Sequence, residues 1–152
     1  MYLRGMRLKD MEKREAIKQA TFALVADEGV SALKMADLAK RVGVSPSTLY
    51  TYFEDKQHLI QTLFREVMKA MVTLVVKEFH PDRPYKANLK QFWIAYLHYR
   101  IRHHKEILFY ERVKASSYFQ KTVAEVKSME MMVPMQLIRM GKEQMLIKDL
   151  DD

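Results

Sequence analysis

The chain has 152 residues, 49% of them hydrophobic and 11% aromatic, enough apolar surface for one ordinary domain or for a small head fused to a helical body. Gly and Pro number only four each and Cys is absent, which argues against a turn-rich β fold and excludes disulfides and thiolate metal sites. The net charge of +7 sits mainly in the second part: residues 1–60 carry ten Lys and Arg against eight Asp and Glu, and residues 61–152 carry sixteen against eleven.

Met1–Lys9 is basic with no apolar core behind it, so no signal peptide is expected, and no run of eighteen apolar residues predicts a membrane span. A cytoplasmic protein is the expectation. Arg4, Arg7, Lys9, Lys13 and Arg14 form a basic arm, either solvated or in contact with phosphate. Ile17, Ala20, Thr21, Leu24 and Val25 then form a helical stripe that stops at Gly29, a residue suited to the left-handed position after a helix. Met35, Leu38, Ala39 and Val42 recur at helical spacing with Asp37, Lys40 and Arg41 opposite, predicting a short second helix. Ala39 is small enough for a steep helix crossing, and Gly43 turns the chain with φ > 0. Ser45 is placed to cap a third helix and Pro46 to open it. Leu49 and Phe53 form its inward edge; Ser47, Thr48, Tyr50, Thr51 and Tyr52 are left outward. Asp55 can cap a fourth helix whose inward residues run from Leu59 through Ile60, Leu63, Phe64, Val67 and Met68 to Met71. Two short helices about a Gly turn, flanked by longer ones, have the layout of a helix-turn-helix.

The same stretch contains Phe22-Ala23, Glu28-Gly29, Ala36-Asp37-Leu38-Ala39, Val42-Gly43-Val44-Ser45, Thr48-Leu49-Tyr50, Tyr52-Phe53 and Lys56. On these residues it resembles, over about residues 12–64, the N-terminal domain of the TetR/AcrR family of transcriptional regulators. The resemblance implies an all-α protein: a three-helix helix-turn-helix DNA-binding head over 1–56, and over 57–152 a connecting helix leading into a helical effector-binding and dimerisation bundle. It implies that Tyr50, Tyr52 and Lys56 hold phosphates while Ser45, Pro46, Ser47 and Thr48 approach bases, with Thr51 among the outward hydroxyls of the same helix. Lys34 stands where the family often has a capping Ser or Thr, and would meet a phosphate as a charge. The third helix has no Arg, Asn or Gln for bidentate base contacts, so discrimination is expected from Ser/Thr contacts, thymine methyls and DNA shape.

His80-Pro81-Asp82-Arg83-Pro84 should break the fourth helix. Beyond it Leu89, Phe92, Trp93, Tyr96, Leu97 and Arg100 share a helical stripe, read either as bundle core or as the wall of an effector pocket. Relatives bind a small molecule inside this bundle, so Phe92, Trp93, Tyr96, Arg100 and Met132 are the candidate ligand residues, Arg100 for an anionic group. Residues 86–105 contain Lys86, Lys90, Arg100, Arg102 and Lys105 and no acid, a set that would attract an acidic effector or DNA, or simply be a solvated face. His103 and His104 point about 100° apart on a helix, and no metal site is expected. From Ser117, the residues Phe119, Val123, Val126, Met129 and Val133 predict a further helix interrupted near Pro134. Six of the twelve Met lie between Met129 and Met145, side chains that adapt to irregular ligand shapes or core gaps.

The resemblance also implies a homodimer reaching two half-sites on double-stranded operator DNA. Relatives continue through two more long helices past the point where this chain reads Asp149-Leu150-Asp151-Asp152, so a shortened body with an incomplete or relocated dimer surface is expected. Two functions follow. One is a ligand-responsive DNA-binding regulator, a repressor released by a small hydrophobic or amphipathic effector. The other is a truncated helical interaction protein that pairs with a partner and does not bind an operator on its own. With no Cys, no Gly-rich phosphate loop and no nucleophile–base–acid set brought together, neither an enzyme nor a cofactor, nor a membrane partner, is expected.

Overall fold

The computed structural model describes residues 2–120 and 134–148, with side-chain positions for 9–74, 76–119 and 134–148. Helix follows helix: α1 (Tyr2–Glu28), α2 (Met35–Val42), α3 (Pro46–Tyr52), α4 (Lys56–Glu78), α5 (Tyr85–Arg102), α6 (His104–Lys114) and α7 (Ser117–Gln120). A further helix, α8, covers residues 134–143. No strand occurs among the described residues, and the fold is all-α. None of the described helices is long and apolar enough to cross a membrane. Of the helix expected from Ser117, residues 117–120 form α7, and Val123, Val126, Met129 and Val133 lie outside the described residues.

The breaks fall where local chemistry puts them. Gly29 (φ +91°) ends α1 with its N–H on the Val25 carbonyl at 2.9 Å. Gly43 (φ 76°, ψ 32°) ends α2, its N–H on the Lys40 carbonyl and that of Val44 on the Ala39 carbonyl. Both glycines take the left-handed conformation that a Cβ disfavours. At the start of α4, Asp55 Oδ1 accepts the His58 N–H at 2.7 Å. The Pro-rich break between α4 and α5 is a tied corner: buried Asn88 accepts from the His80 N–H at 3.1 Å and donates to the His80 and Arg83 carbonyls at 2.7 and 3.3 Å. Three backbone groups that the break would leave unpaired are thereby satisfied.

The chain forms two compact units, residues 1–64 with 105–121 and residues 65–104 with 122–152. In the first, α1 packs on α2 and α2 on α3. Its core includes Ile17, Phe22, Leu38, Leu49, Phe53 and Leu63, all essentially without solvent exposure. α6 belongs to this core although it comes forty residues later in the chain. Phe109 lies 5.0 Å from the Phe22 ring, and Tyr110 stacks on Phe64 at 4.8 Å with the planes 7° apart. Each such buried ring stabilises the fold by roughly 1.5–3 kcal/mol.

In the second unit, buried Leu137 of α8 gathers Phe79, Leu89, Phe92 and Tyr96. Here the expected aromatic stripe divides. Trp93 and Leu97 are each 51% exposed, because successive helical residues are about 100° apart and these two fall beyond the edge of the arc that α8 covers.

Candidate functional site

α3 is only seven residues long, too short to persist alone, and both of its ends are fixed. Ser45 Oγ accepts the Thr48 N–H at 3.1 Å and lies 2.9 and 2.8 Å from the hydroxyls of Ser47 and Thr48. Pro46 occupies the first turn, where no donor is required. At the far end the Phe53 N–H returns to the Leu49 carbonyl, and Thr51 Oγ1 donates to the Thr48 carbonyl at 2.7 Å. Buried Leu49 and Phe53 anchor the helix from within, and the Arg14 guanidinium covers the Phe53 ring at 5.8 Å.

This leaves Ser45, Pro46, Ser47, Tyr50 and Thr51 exposed along one surface, with Thr48, Tyr52 and Lys56 half-buried beside them. The hydroxyls of Ser47, Thr48 and Thr51 already have partners at the helix itself. A hydroxyl donates once and accepts twice, so each keeps capacity for two more contacts, and the existing bond presets its rotor. Tyr50 stands out from α3, half exposed.

The cationic and phenolic groups have definite surroundings. Tyr52 donates to Asp10 Oδ1 at 2.7 Å; that hydrogen bond, then burial and the carboxylate charge, push the phenol pKa above its ordinary 10.0. Lys56 Nζ donates to the Ser31 carbonyl at 3.4 Å and sits 5.6 Å over the Tyr118 ring, and burial lowers its pKa from 10.5. Lys34 occupies the N-cap position of α2 in extended conformation (φ −118°, ψ 134°) and makes no side-chain cap, leaving an exposed charge at a helix N-terminus. Sequence reasoning missed Asp10, Ser31 and Tyr118, whose positions carry no local signal. It also missed His58, which accepts the Glu54 N–H through Nδ1 at 3.1 Å and meets Phe53 edge-on. The Asp55-to-His58 spacing of three, that of a capping pair, was available to find it. Met132 and the side chains of Arg4 and Arg7 lie outside what is described.

Of the candidate ligand residues, Phe92 and Tyr96 pack toward Leu137, their rings parallel within 2°. Arg100 donates to the Tyr96 hydroxyl at 2.9 Å, and Trp93 meets both rings edge-on from the exposed side. None of the four lines the groove of about 430 Å³ between α4 and α5, which is bordered by Ala70, Leu74, Ala95, His98 and Arg102.

A short capped helix, held outward by a glycine turn and flanked by Lys34 and Lys56, has the form of a helix-turn-helix. The family described as bacterial regulatory proteins, tetR family, matches residues 17–63, the span from mid-α1 into α4. Over that span the chain is similar to the tetR family. It is 32% identical over 88 residues to an uncharacterised HTH-type transcriptional regulator of Haemophilus influenzae, a match covering 58% of this chain and 47% of that protein. Two solved TetR-family structures resemble the whole fold. That from Marinobacter aquaeolei VT8 has a TM-score of 0.78 at 27% identity, covering 95% of this chain and 76% of the other. That from Vibrio parahaemolyticus has a TM-score of 0.71 at 29% identity, covering 91% and 75%. The chain spans about half the length of the curated relatives it matches.

Proposed function

We propose that this chain is a DNA-binding transcriptional regulator that acts as a repressor and is released by a small hydrophobic or amphipathic effector held in its second unit. The observation that carries the reading is α3: a helix capped by Ser45 and presenting Ser47, Thr48, Tyr50 and Thr51 outward from a buried scaffold. Such a helix enters a major groove with its first turn toward base edges, while hydroxyls and cations beside it hold phosphates. In this reading Tyr50, Tyr52, Lys56 and Lys34 fix the register, and Ser45, Pro46, Ser47 and Thr48 read the sequence. The protein works as a homodimer, because one short helix reads too few base pairs to select an operator. Effector binding changes DNA affinity only by favouring one arrangement of the two heads over another. No reaction is catalysed.

The test is anisotropy-detected binding to duplexes from upstream of its own gene and to random duplexes across a salt series, with the mass in solution measured in parallel. A dimer that prefers its own upstream DNA and weakens steeply with salt is expected. Monomeric protein with equal affinity for both duplexes would overturn the reading. Tyr50→Ala and Lys56→Ala should weaken every duplex alike, whereas Thr48→Ala should alter the preferred sequence.

A further inference from the structure

The groove between α4 and α5 is built with opposite ends. Tyr99 donates to the Val67 carbonyl at 3.4 Å and Asn88 is tied to His80, so the two helices run antiparallel along it. Its floor is set by Ala70 and Ala95, where any larger side chain would fill the space, and Leu74 and Ile94 supply apolar walls. One end carries His98, Arg102 and His103; the other carries Glu78 and Gln91. Glu78 and Ala70 are eight residues apart on α4, so roughly 12 Å separates the two ends, with Leu74, Ile94 and Ala95 lining the groove. α5 itself contains Lys86, Lys90, Arg100 and Arg102 and no acidic residue.

We infer that this groove binds a monoanionic amphiphile, a carboxylate on a slender apolar body, with its head at Arg102 and His98 and its tail along Ala70 and Ala95 toward Leu74. The inference rests on the effector reading above and gives that effector a charge and an orientation. Arg102 offers a planar fork matched to a carboxylate, and the imidazole of His98 adds a donor one helical turn away. Glu78 repels an anionic head from the opposite end, so only one direction of entry is favourable. A cationic amphiphile meets the reverse field at the Arg102 end. A small free anion gains nothing from the alanine floor, where each buried methylene of a tail contributes about 0.8 kcal/mol.

The test uses the full chain and three probes sharing one tail: octanoate, octanol and octylamine. Amide shifts of α4 and α5 report where each binds, and titration gives its Kd. Octanoate is expected to shift residues bordering the groove and to bind about tenfold or more tighter than octanol, the scale of a charge-assisted hydrogen bond. Octylamine should bind more weakly than either. Arg102→Gln, a change at an exposed position, should remove the preference for octanoate over octanol. Ala70→Phe fills the groove from an exposed helical position and should abolish octanoate binding without loss of fold. Equal affinity for octanoate and octanol, tighter binding of octylamine, or undiminished octanoate binding by Ala70→Phe would each overturn the inference. DNA affinity measured with and without octanoate separates the two readings. Octanoate bound in the groove with DNA affinity unchanged overturns the effector role and leaves the site standing, and absence of groove binding beside intact DNA binding overturns the site alone.

Discussion

Ser45 accepts one backbone N–H and touches two hydroxyls, so its Oγ organises most of the first turn of α3. Ser45→Ala should lower stability by about 1 kcal/mol, the usual worth of an N-cap, as read by urea unfolding. Gly43→Ala tests the turn: a Cβ there meets nothing within 4 Å, so the loss, about 1 kcal/mol, comes from the left-handed backbone alone. At Gly29 a Cβ would additionally come within 3.3 Å of Arg112 Nη1, the movable tip of a side chain. The Tyr52 phenol should titrate above pH 10 and return toward its ordinary value in Asp10→Ala, followed by phenolate absorbance. Because folding raises this pKa, the Tyr52–Asp10 contribution is whole below pH 10 and fades as pH rises through the folded value. The contribution is small at so exposed a pair. Ser45, Gly43 and Asp55 were legible in the sequence because capping and turn chemistry act within four residues. Asp10 was not, since forty-two residues separate it from Tyr52 and no periodicity spans that distance.

The helix breaks from Gly29 to Pro84 were readable, and facing was only partly so. Gly29, Gly43 and Pro84 mark breaks by backbone rules that hold in any context. Which side of α5 is buried depends on what packs against it, and the apolar residues of α5 occupy too wide an arc to choose. Phe92 and Tyr96 found Leu137 of α8, whereas Trp93 and Leu97 did not. The consequence inverts the order that size alone would give. Trp93→Ala should cost only about 0.5–1.5 kcal/mol, the worth of its edge-on contacts with Phe92 and Tyr96. Asn88→Ala should cost about 1–3 kcal/mol, because it strands the His80 N–H and the His80 and Arg83 carbonyls at the corner. Urea denaturation of the two variants side by side checks the ranking.

For the molecule as a whole, the head is completed by a helix that sequence adjacency assigns elsewhere. Phe109→Ala should destabilise the unit containing α3 by about 3–5 kcal/mol, since it empties the site beside Phe22 in a core with no exposure. A fragment ending at Phe64 should lack a cooperative unfolding transition, monitored by circular dichroism, because Phe22 and Phe64 lose Phe109 and Tyr110. Neither α6 nor its partner was read from the sequence, and contact across forty intervening residues leaves no local trace. Those residues, 65–104, are therefore a loop inserted into the head's own fold. Closing a fully flexible loop of that length would cost about 3 kcal/mol. The Tyr99 to Val67 hydrogen bond and the Asn88 corner fold that stretch back on itself, so that the entropy of the insertion is largely spent on its own structure.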